Sequence, residues 1–293
     1  MSFKSGFVNI IGKPNAGKST LMNALIGERL SIITPKAQTT RHRIIGILNR
    51  PDAQIVFSDT PGIIRNPAYK LQESMNSFIE GSFDDADVFL YVAEVNDKAL
   101  IEDVPEKVRE SGVPIILALN KIEQSNQKNL EQKVAEWKSI LPDSVVIPIS
   151  ADQNFNLDQV LKNILHFLPE GKAYFESDAL TDRTERFFVT EIIREKILLN
   201  YQKEIPYSTE VVVEDFKEES TINKIRATIY VMRESQKGII IGHQGSVIKK
   251  VSTEARLDME KFLGKKVYLE LQVKVIKDWR DNEKQLKRFG YLH

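Results

Sequence analysis

The chain has 293 residues, 42% apolar and 28% charged, a composition that excludes a disordered or fibrous chain and leaves room for two domains. It has no cysteine, four scattered histidines and no apolar run near the ~18 residues of a membrane span, which excludes disulfides, zinc fingers, cysteine nucleophiles and transmembrane bundles. The 41 Lys and Arg balance 41 Asp and Glu unevenly: residues 1–175 carry 19 against 21, 176–226 carry 8 against 12, and 227–293 carry 14 against 8, so zero net charge hides a basic last quarter.

Residues 7–11 are apolar but interrupted by Asn9 and too short for a signal peptide, so a cytoplasmic protein is expected. Apolar, β-branched runs at 6–11, 55–58, 88–93, 115–119 and 145–148 read as strands buried on both faces. Helical patterns at 19–25, 71–82, 104–110, 130–140 and 158–167 separate them, which predicts a mostly parallel α/β sheet flanked by helices. Pro169, Glu170 and Gly171 break the pattern. The expected division is a first domain at 1–172, a linker at 173–182 and a second domain at 183–293. The second half reads as a helix at 184–199, strands at 209–216 and 222–232 joined by a polar turn, an apolar segment at 238–242, a helix at 246–263, a strand at 266–275 and a short helix at 281–289. That order, α-β-β-α-α-β with an appended helix, is a small α+β domain.

Gly12-Lys13-Pro14-Asn15-Ala16-Gly17-Lys18-Ser19 is a P-loop placed after a strand and before a helix. Its glycines let successive backbone N–H groups cradle phosphate oxygens at a helix N-terminus. Lys18 is then expected to reach the β- and γ-phosphates and Ser19 to ligate Mg²⁺, with Thr20 next to it in the site. Asp59-Thr60-Pro61-Gly62, Asn120-Lys121-Ile122-Glu123 and Ser150-Ala151 each follow a strand, where ligands of open α/β sheets gather. Asp59 can hold Mg²⁺ through water, and the Gly62 N–H can meet a γ-phosphate.

This set resembles the translation-factor-related class of GTPases over roughly residues 5–170, with switch I at Thr39-Thr40-Arg41. The resemblance implies GTP and GDP as ligands. It implies that Thr40, with Thr39 as the alternative, joins Ser19 and Asp59 at the metal, and that Lys18, Thr40 and Gly62 act in catalysis. It also implies that Gly12, Asn15, Ala16, Gly17, Lys121, Ser150 and Ala151 line the nucleotide, and that Asn120 and Glu123 read guanine. Glu123 departs from the usual Asp, whose carboxylate accepts two guanine N–H groups, so a bent rotamer or shifted loop must absorb its extra methylene. Ile63 stands where many small GTPases carry a water-orienting glutamine, and slow intrinsic hydrolysis is expected. By the same resemblance Asn15 is a candidate K⁺ ligand.

In the second half, Gly242-His243-Gln244-Gly245 is a Gly-x-x-Gly turn between an apolar segment and a helix. It resembles a KH domain of the hairpin-first type, in which the turn approaches phosphates and a neighbouring groove holds about four unpaired bases. The resemblance makes Gly238, Ile241, Gly242, His243, Gln244, Gly245, Ser246, Ile248 and Lys249 candidate RNA contacts. Lys249 and Lys250 read equally as a solvated helix face, and Trp279 either stacks on a base or packs the final helix.

A P-loop GTPase domain followed by a KH domain resembles the Era family. Residues 36–43, Asp182-Arg183, Glu191-Ile192-Ile193-Arg194-Glu195-Lys196 and Ile205-Pro206-Tyr207-Ser208 extend the likeness along the chain. It implies a ribosome-assembly GTPase that binds the 3′ end of small-subunit ribosomal RNA, with the small ribosomal subunit as partner, a monomer, and no DNA. Peripheral contact at the inner face of the cell membrane is a further expected partner. The alternative class is a signalling or membrane-associated GTPase whose basic C-terminal surface meets protein or lipid, although no lipidation motif or long basic amphipathic helix supports it. A metabolic ATPase or kinase is disfavoured by Asn120-Lys121 and Ser150-Ala151.

Overall fold

β1 (Lys4–Gly12) runs through the interior of a six-stranded sheet, and its Val8, Ile10 and Ile11 have no exposed surface. Burial on both faces explains why this strand lacks polar alternation, and each such side chain contributes roughly 1.5–3 kcal/mol. In this computed structural model, which describes residues 2–292, the chain divides into two units: residues up to 65 with 75–182, and 66–74 with 183 onward.

The first unit continues with α1 (Lys18–Ile26), β2 (Ile44–Asn49), β3 (Ala53–Asp59), α2 (Lys70–Phe83, which belongs to this unit from residue 75), β4 (Val88–Glu94), α3 (Glu106–Glu110), β5 (Ile115–Asn120), α4 (Gln127–Ile140), β6 (Val145–Pro148) and α5 (Leu157–Phe167). The sheet order is β2-β3-β1-β4-β5-β6, parallel throughout except for β2, which pairs antiparallel with β3. β2 is an edge strand the sequence reading did not anticipate. Because β1 has β3 on one side and β4 on the other, the connections leave it in opposite directions and open a crevice beyond its C-terminal end. Trp137 on α4 packs against Tyr91 of β4, closing the core on the β4–β5 side.

Residues 174–181 lie along β2. The Ile47 N–H donates to the Leu180 carbonyl at 2.8 Å, the Thr181 hydroxyl to the Ile45 carbonyl at 2.6 Å, and the Asn49 amide to the Ala179 carbonyl at 2.9 Å. The Gln54 carbonyl oxygen accepts from Tyr174 and Phe175 N–H at 2.7 and 2.9 Å. Phe175 and Ala179 pack on Ile45, Ile47 and Val56.

The second unit contains α6 (Glu185–Asn200), β7 (Glu210–Glu218), β8 (Ile222–Val231), α7 (Glu234–Ile241), α8 (Ser246–Leu263), β9 (Lys266–Val275) and α9 (Glu283–Arg288). β7 and β8 form an antiparallel hairpin and β9 joins β8 in parallel. Val189, Ile193 and Ile197 of α6 meet Val251, Ala255 and Met259 of α8 and Ile225, Ala227 and Ile229 of β8 in one buried cluster. Trp279 is fully buried, donates its indole N–H to the Ser208 carbonyl at 3.0 Å and meets Phe289 edge to face. Of the two expectations for this residue, packing the final helix is the one the structure carries, and base stacking is overturned.

Candidate nucleotide-binding site

The loop from β1 to α1 turns through glycines at φ 146° (Gly12) and 99° (Gly17), conformations that disfavour any other residue. A side chain at Gly17 would also collide with the Asn120 amide. Lys18 folds back over the loop, donating to the carbonyls of Lys13 at 2.8 Å and Gly12 at 3.1 Å. Burial pushes its amine down to about 8, against the attraction of Asp59. Burial likewise raises Asp59, opposed by the Ser19 hydrogen bond and the Lys18 charge.

Three oxygens from distant parts of the chain converge here. Ser19 Oγ donates to Asp59 Oδ2 at 2.6 Å and lies 2.9 Å from Thr40 Oγ1, which is 3.4 Å from the same carboxylate oxygen. Asp59 Oδ1 is buried without a hydrogen bond. Two hydroxyls and a carboxylate with spare capacity are hard oxygen donors of the kind Mg²⁺ takes, so the residues present fit that ion. Thr39 turns away: its hydroxyl bonds the Lys36 carbonyl at 2.6 Å and Thr34 Oγ1 at 2.7 Å. Asn15 sits at φ 65° and donates to the Pro35 carbonyl at 3.2 Å, bringing the P-loop to the segment before Thr40. Asn15, Lys18, Ser19 and Thr40 border a cavity of about 490 Å³ that Thr20, Gly62, Glu94 and Lys121 also line.

Asn120 joins two motifs. Its Nδ2 donates to the Ala16 carbonyl at 2.9 Å and its Oδ1 accepts from the Ala151 N–H at 3.0 Å. Lys121, at φ 64°, pairs with Glu94 at 2.7 Å. Ser150 is buried and its hydroxyl accepts from Gln153 N–H at 3.3 Å, while Glu123 is exposed on the short turn Ile122–Gln124. Gly62 packs so tightly on the P-loop that an added Cβ would lie 2.7 Å from Pro14 Cα, N and Cγ. Ile63 lines a second cavity of about 450 Å³, together with Pro14, Arg65, Leu100 and Asp103.

The sequence reading missed Asp103, Lys13, Arg65 and Glu94. Lys13 lies at a variable position of the P-loop and no motif marks the other three, and their contacts span 27 to 90 positions of sequence.

In the second unit α7 ends at Ile241, Gly242 has φ 73° and ψ 177°, Gln244 φ 48° and Gly245 φ 77°. A Cβ on Gly242 would strike Val247. The turn exposes His243, Gln244, Ser246 and Lys249, with Ile241 and Ile248 half-buried, and Gly238 is exposed on α7. Ile240 is fully buried and Ile239 half exposed, an exposed apolar neighbour of the turn that helical spacing places outward. Gln236 caps α7 by accepting from Met232 and Arg233 N–H at 2.9 and 3.1 Å, and the Tyr201 hydroxyl donates to the Ile240 carbonyl at 2.6 Å.

Residues 7–121 match the family described as 50S ribosome-binding GTPase, and residues 204–280 match the KH domain. GTPase Era of Syntrophus aciditrophicus is 47% identical over 99% of this chain and 95% of its own. GTPase Era of Halothermothrix orenii is 44% identical over 99% of each. A crystal structure of Aquifex aeolicus Era, as a single-residue variant bound to GDP·AlF4⁻, superposes with a TM-score of 0.95 at 38% identity, covering 99% of this chain and 100% of that one. A structure of Era with MgGDPNP and nucleotides 1506–1542 of 16S ribosomal RNA matches with the same TM-score, identity and coverage.

Proposed function

This chain belongs to the Era family of GTPases, and from that membership we propose that its second unit binds the 3′ region of small-subunit ribosomal RNA, so that it serves small-subunit assembly as a nucleotide-controlled switch. It is an enzyme that hydrolyses GTP to GDP and phosphate. The observation that carries the assignment of the nucleotide site is the convergence of Ser19, Thr40 and Asp59 beside Lys18.

Ser19, Thr40 and Asp59 would hold Mg²⁺, which when bound neutralises charge on the β- and γ-phosphate oxygens. Gly12, Ala16, Gly17 and Thr20 offer backbone N–H groups to the phosphates. The Lys18 amine faces the bridging oxygen that leaves as water attacks the γ-phosphorus. The Gly62 N–H and Thr40 hold the γ-phosphoryl group. Ile63 has no polar group to orient the water, so the intrinsic rate is slow, and a K⁺ ion held by Asn15 would supply charge instead. Equal turnover in Na⁺ and K⁺ buffers would remove that role. Asn120, Lys121, Glu123, Ser150 and Ala151 form the guanine end.

We assign the GTPase domain to 1–172 and the KH domain to 183–293, joined by a linker at 173–182 that runs along β2. RNA meets Gly238, Ile241 to Ser246, Ile248 and Lys249, helped by the basic excess of 227–293. The γ-phosphate orders residues 38–43 and 63–66, and hydrolysis releases them.

The test is crosslinking in cells followed by sequencing of the bound RNA, with Gly242→Asp/Gly245→Asp as the control. Recovery of small-subunit RNA by the wild type and its loss in the variant, with nucleotide binding kept, is the expected result. Recovery of no RNA above background would overturn the reading.

A further inference from the structure

Asp103 is a buried carboxylate on the turn Ile101–Asp103, its side chain 2% exposed, and it takes two cations from separate parts of the site. Lys13, the second residue of the P-loop, approaches its Oδ2 to 2.7 Å, and Arg65, three residues beyond Gly62, pairs with its Oδ1. The Lys13 and Arg65 side chains are 37% and 61% exposed, so the cost of burying the cluster falls mainly on Asp103. The Tyr91 hydroxyl fixes the turn to β4 by donating to the Asp103 carbonyl at 3.2 Å.

Segment 62–65 is thereby held at three points. Gly62 abuts Pro14, the Ile64 backbone exchanges two hydrogen bonds with Asn76 at 2.8 and 3.2 Å, and Arg65 reaches Asp103. Pro14 directly follows Lys13, so one carboxylate ties down both sides of the Gly62–Pro14 contact.

We propose that Asp103 is a positioning residue that latches the P-loop to the segment after Gly62 and so sets the Gly62 N–H where it can distinguish GTP from GDP. This rests on the nucleotide site proposed above. The P-loop backbone meets phosphates common to both nucleotides, whereas the Gly62 N–H meets only the γ-phosphate. A tether between them therefore stabilises the GTP complex selectively, by differential affinity for one state. Arg65 is the removable half of the latch, because Lys13 still neutralises Asp103 when Arg65 is gone.

The experiment uses the full chain with Mg²⁺ and measures affinity for GDP and for a non-hydrolysable GTP analogue, together with single-turnover hydrolysis, in wild type, Arg65→Ala, Arg65→Lys, Asp103→Asn and the Arg65→Ala/Asp103→Asn double variant. Asp103→Asn and Arg65→Ala are expected to leave GDP affinity within about twofold, to weaken the analogue roughly tenfold and to slow hydrolysis by a similar factor. Arg65→Lys restores part of the loss, and the double variant is no worse than Asp103→Asn alone, as for partners in one interaction. Equal weakening of GDP and analogue would mean a merely structural role and overturn the latch, as would unchanged affinities and rates. If Asp103→Asn does not fold, Arg65→Ala decides the matter alone, since that side chain is largely exposed. A wild type that binds neither guanine nucleotide would instead refute the nucleotide site, and the latch with it.

Discussion

The Asn120 amide donates to the Ala16 carbonyl at 2.9 Å across 104 positions of sequence, so a side chain proposed to read guanine also holds the P-loop in shape. Asn120→Ala removes this bond and the one from Ala151 N–H. With about 1 kcal/mol lost for each and more for the buried groups left unpaired, GDP affinity should fall at least ~30-fold. Asn120→Asp should fall further, because a carboxylate oxygen then faces the Ala16 carbonyl. Titration with a fluorescent GDP analogue measures both, and wild-type affinity in either would contradict the clamp.

Glu123 is exposed on its turn. Shortening it to Asp should raise preference for guanine over adenine nucleotides, and Glu123→Ala should lower that preference by about tenfold or more. Displacement of labelled GDP by unlabelled ADP gives the ratio. No change in Glu123→Ala would show that guanine is read by backbone groups alone.

Chelation of divalent ions should stop GTP hydrolysis, and added Mg²⁺ should restore it. Asp59→Asn keeps the side-chain shape but halves the donor capacity beside Ser19 and Thr40, so the Mg²⁺ concentration for half-maximal activity should rise about tenfold or more. A Mg²⁺ titration of initial rates reads this out.

Tyr201 is 5% exposed, burial pushes its phenol up to about 12, and its hydroxyl supports the Ile240 carbonyl at the end of α7. Tyr201→Phe leaves that carbonyl unpaired and should cost about 1–3 kcal/mol of stability. Chemical denaturation monitors the loss, and a fall below about 0.5 kcal/mol would mean that water replaces the hydroxyl.

Glu260 is held below the ordinary carboxylate range chiefly by the Val267 N–H at 3.2 Å, with Lys266 and Arg256 adding attraction. A carboxyl depressed in the folded state stabilises above its unfolded value, near 4.5, and loses that contribution as pH falls through the lower folded value. The melting-temperature difference between wild type and Glu260→Gln should therefore be largest near neutrality and shrink below about pH 4.5. A constant difference down to pH 3 would assign the effect to packing.

The strands that carry the nucleotide motifs were legible because burial on both faces leaves unbroken apolar runs such as Phe89 to Val92, and because each motif ends one of them. β2 was not legible: Gly46 interrupts its run, and its partner on the open side is the irregular stretch 174–181, more than 120 residues away. The candidate metal donors were singled out by motif, and the contacts that favour Thr40 over Thr39, its approach to Ser19 and the turning of the Thr39 hydroxyl into its own loop, are tertiary. Asp103 gave no signal because an acidic residue outside any motif reads as solvated, and its partners Lys13 and Arg65 come from other segments. For Trp279 the sequence offered both base stacking and packing of the final helix, and the Ser208 carbonyl and Phe289 account for its surface in favour of packing.

The stretch 174–181, laid along β2, bears on how the protein can be dissected. An edge strand with unpaired N–H and C=O groups is a template for aggregation, and here the Leu180 and Thr181 bonds and the Phe175 ring blunt it. A catalytic fragment cut at residue 172 would carry every nucleotide motif yet expose the β2 edge to a second molecule. One ending at 182 keeps its own guard strip, so what sequence composition marks as a tether is part of the enzyme's outer wall.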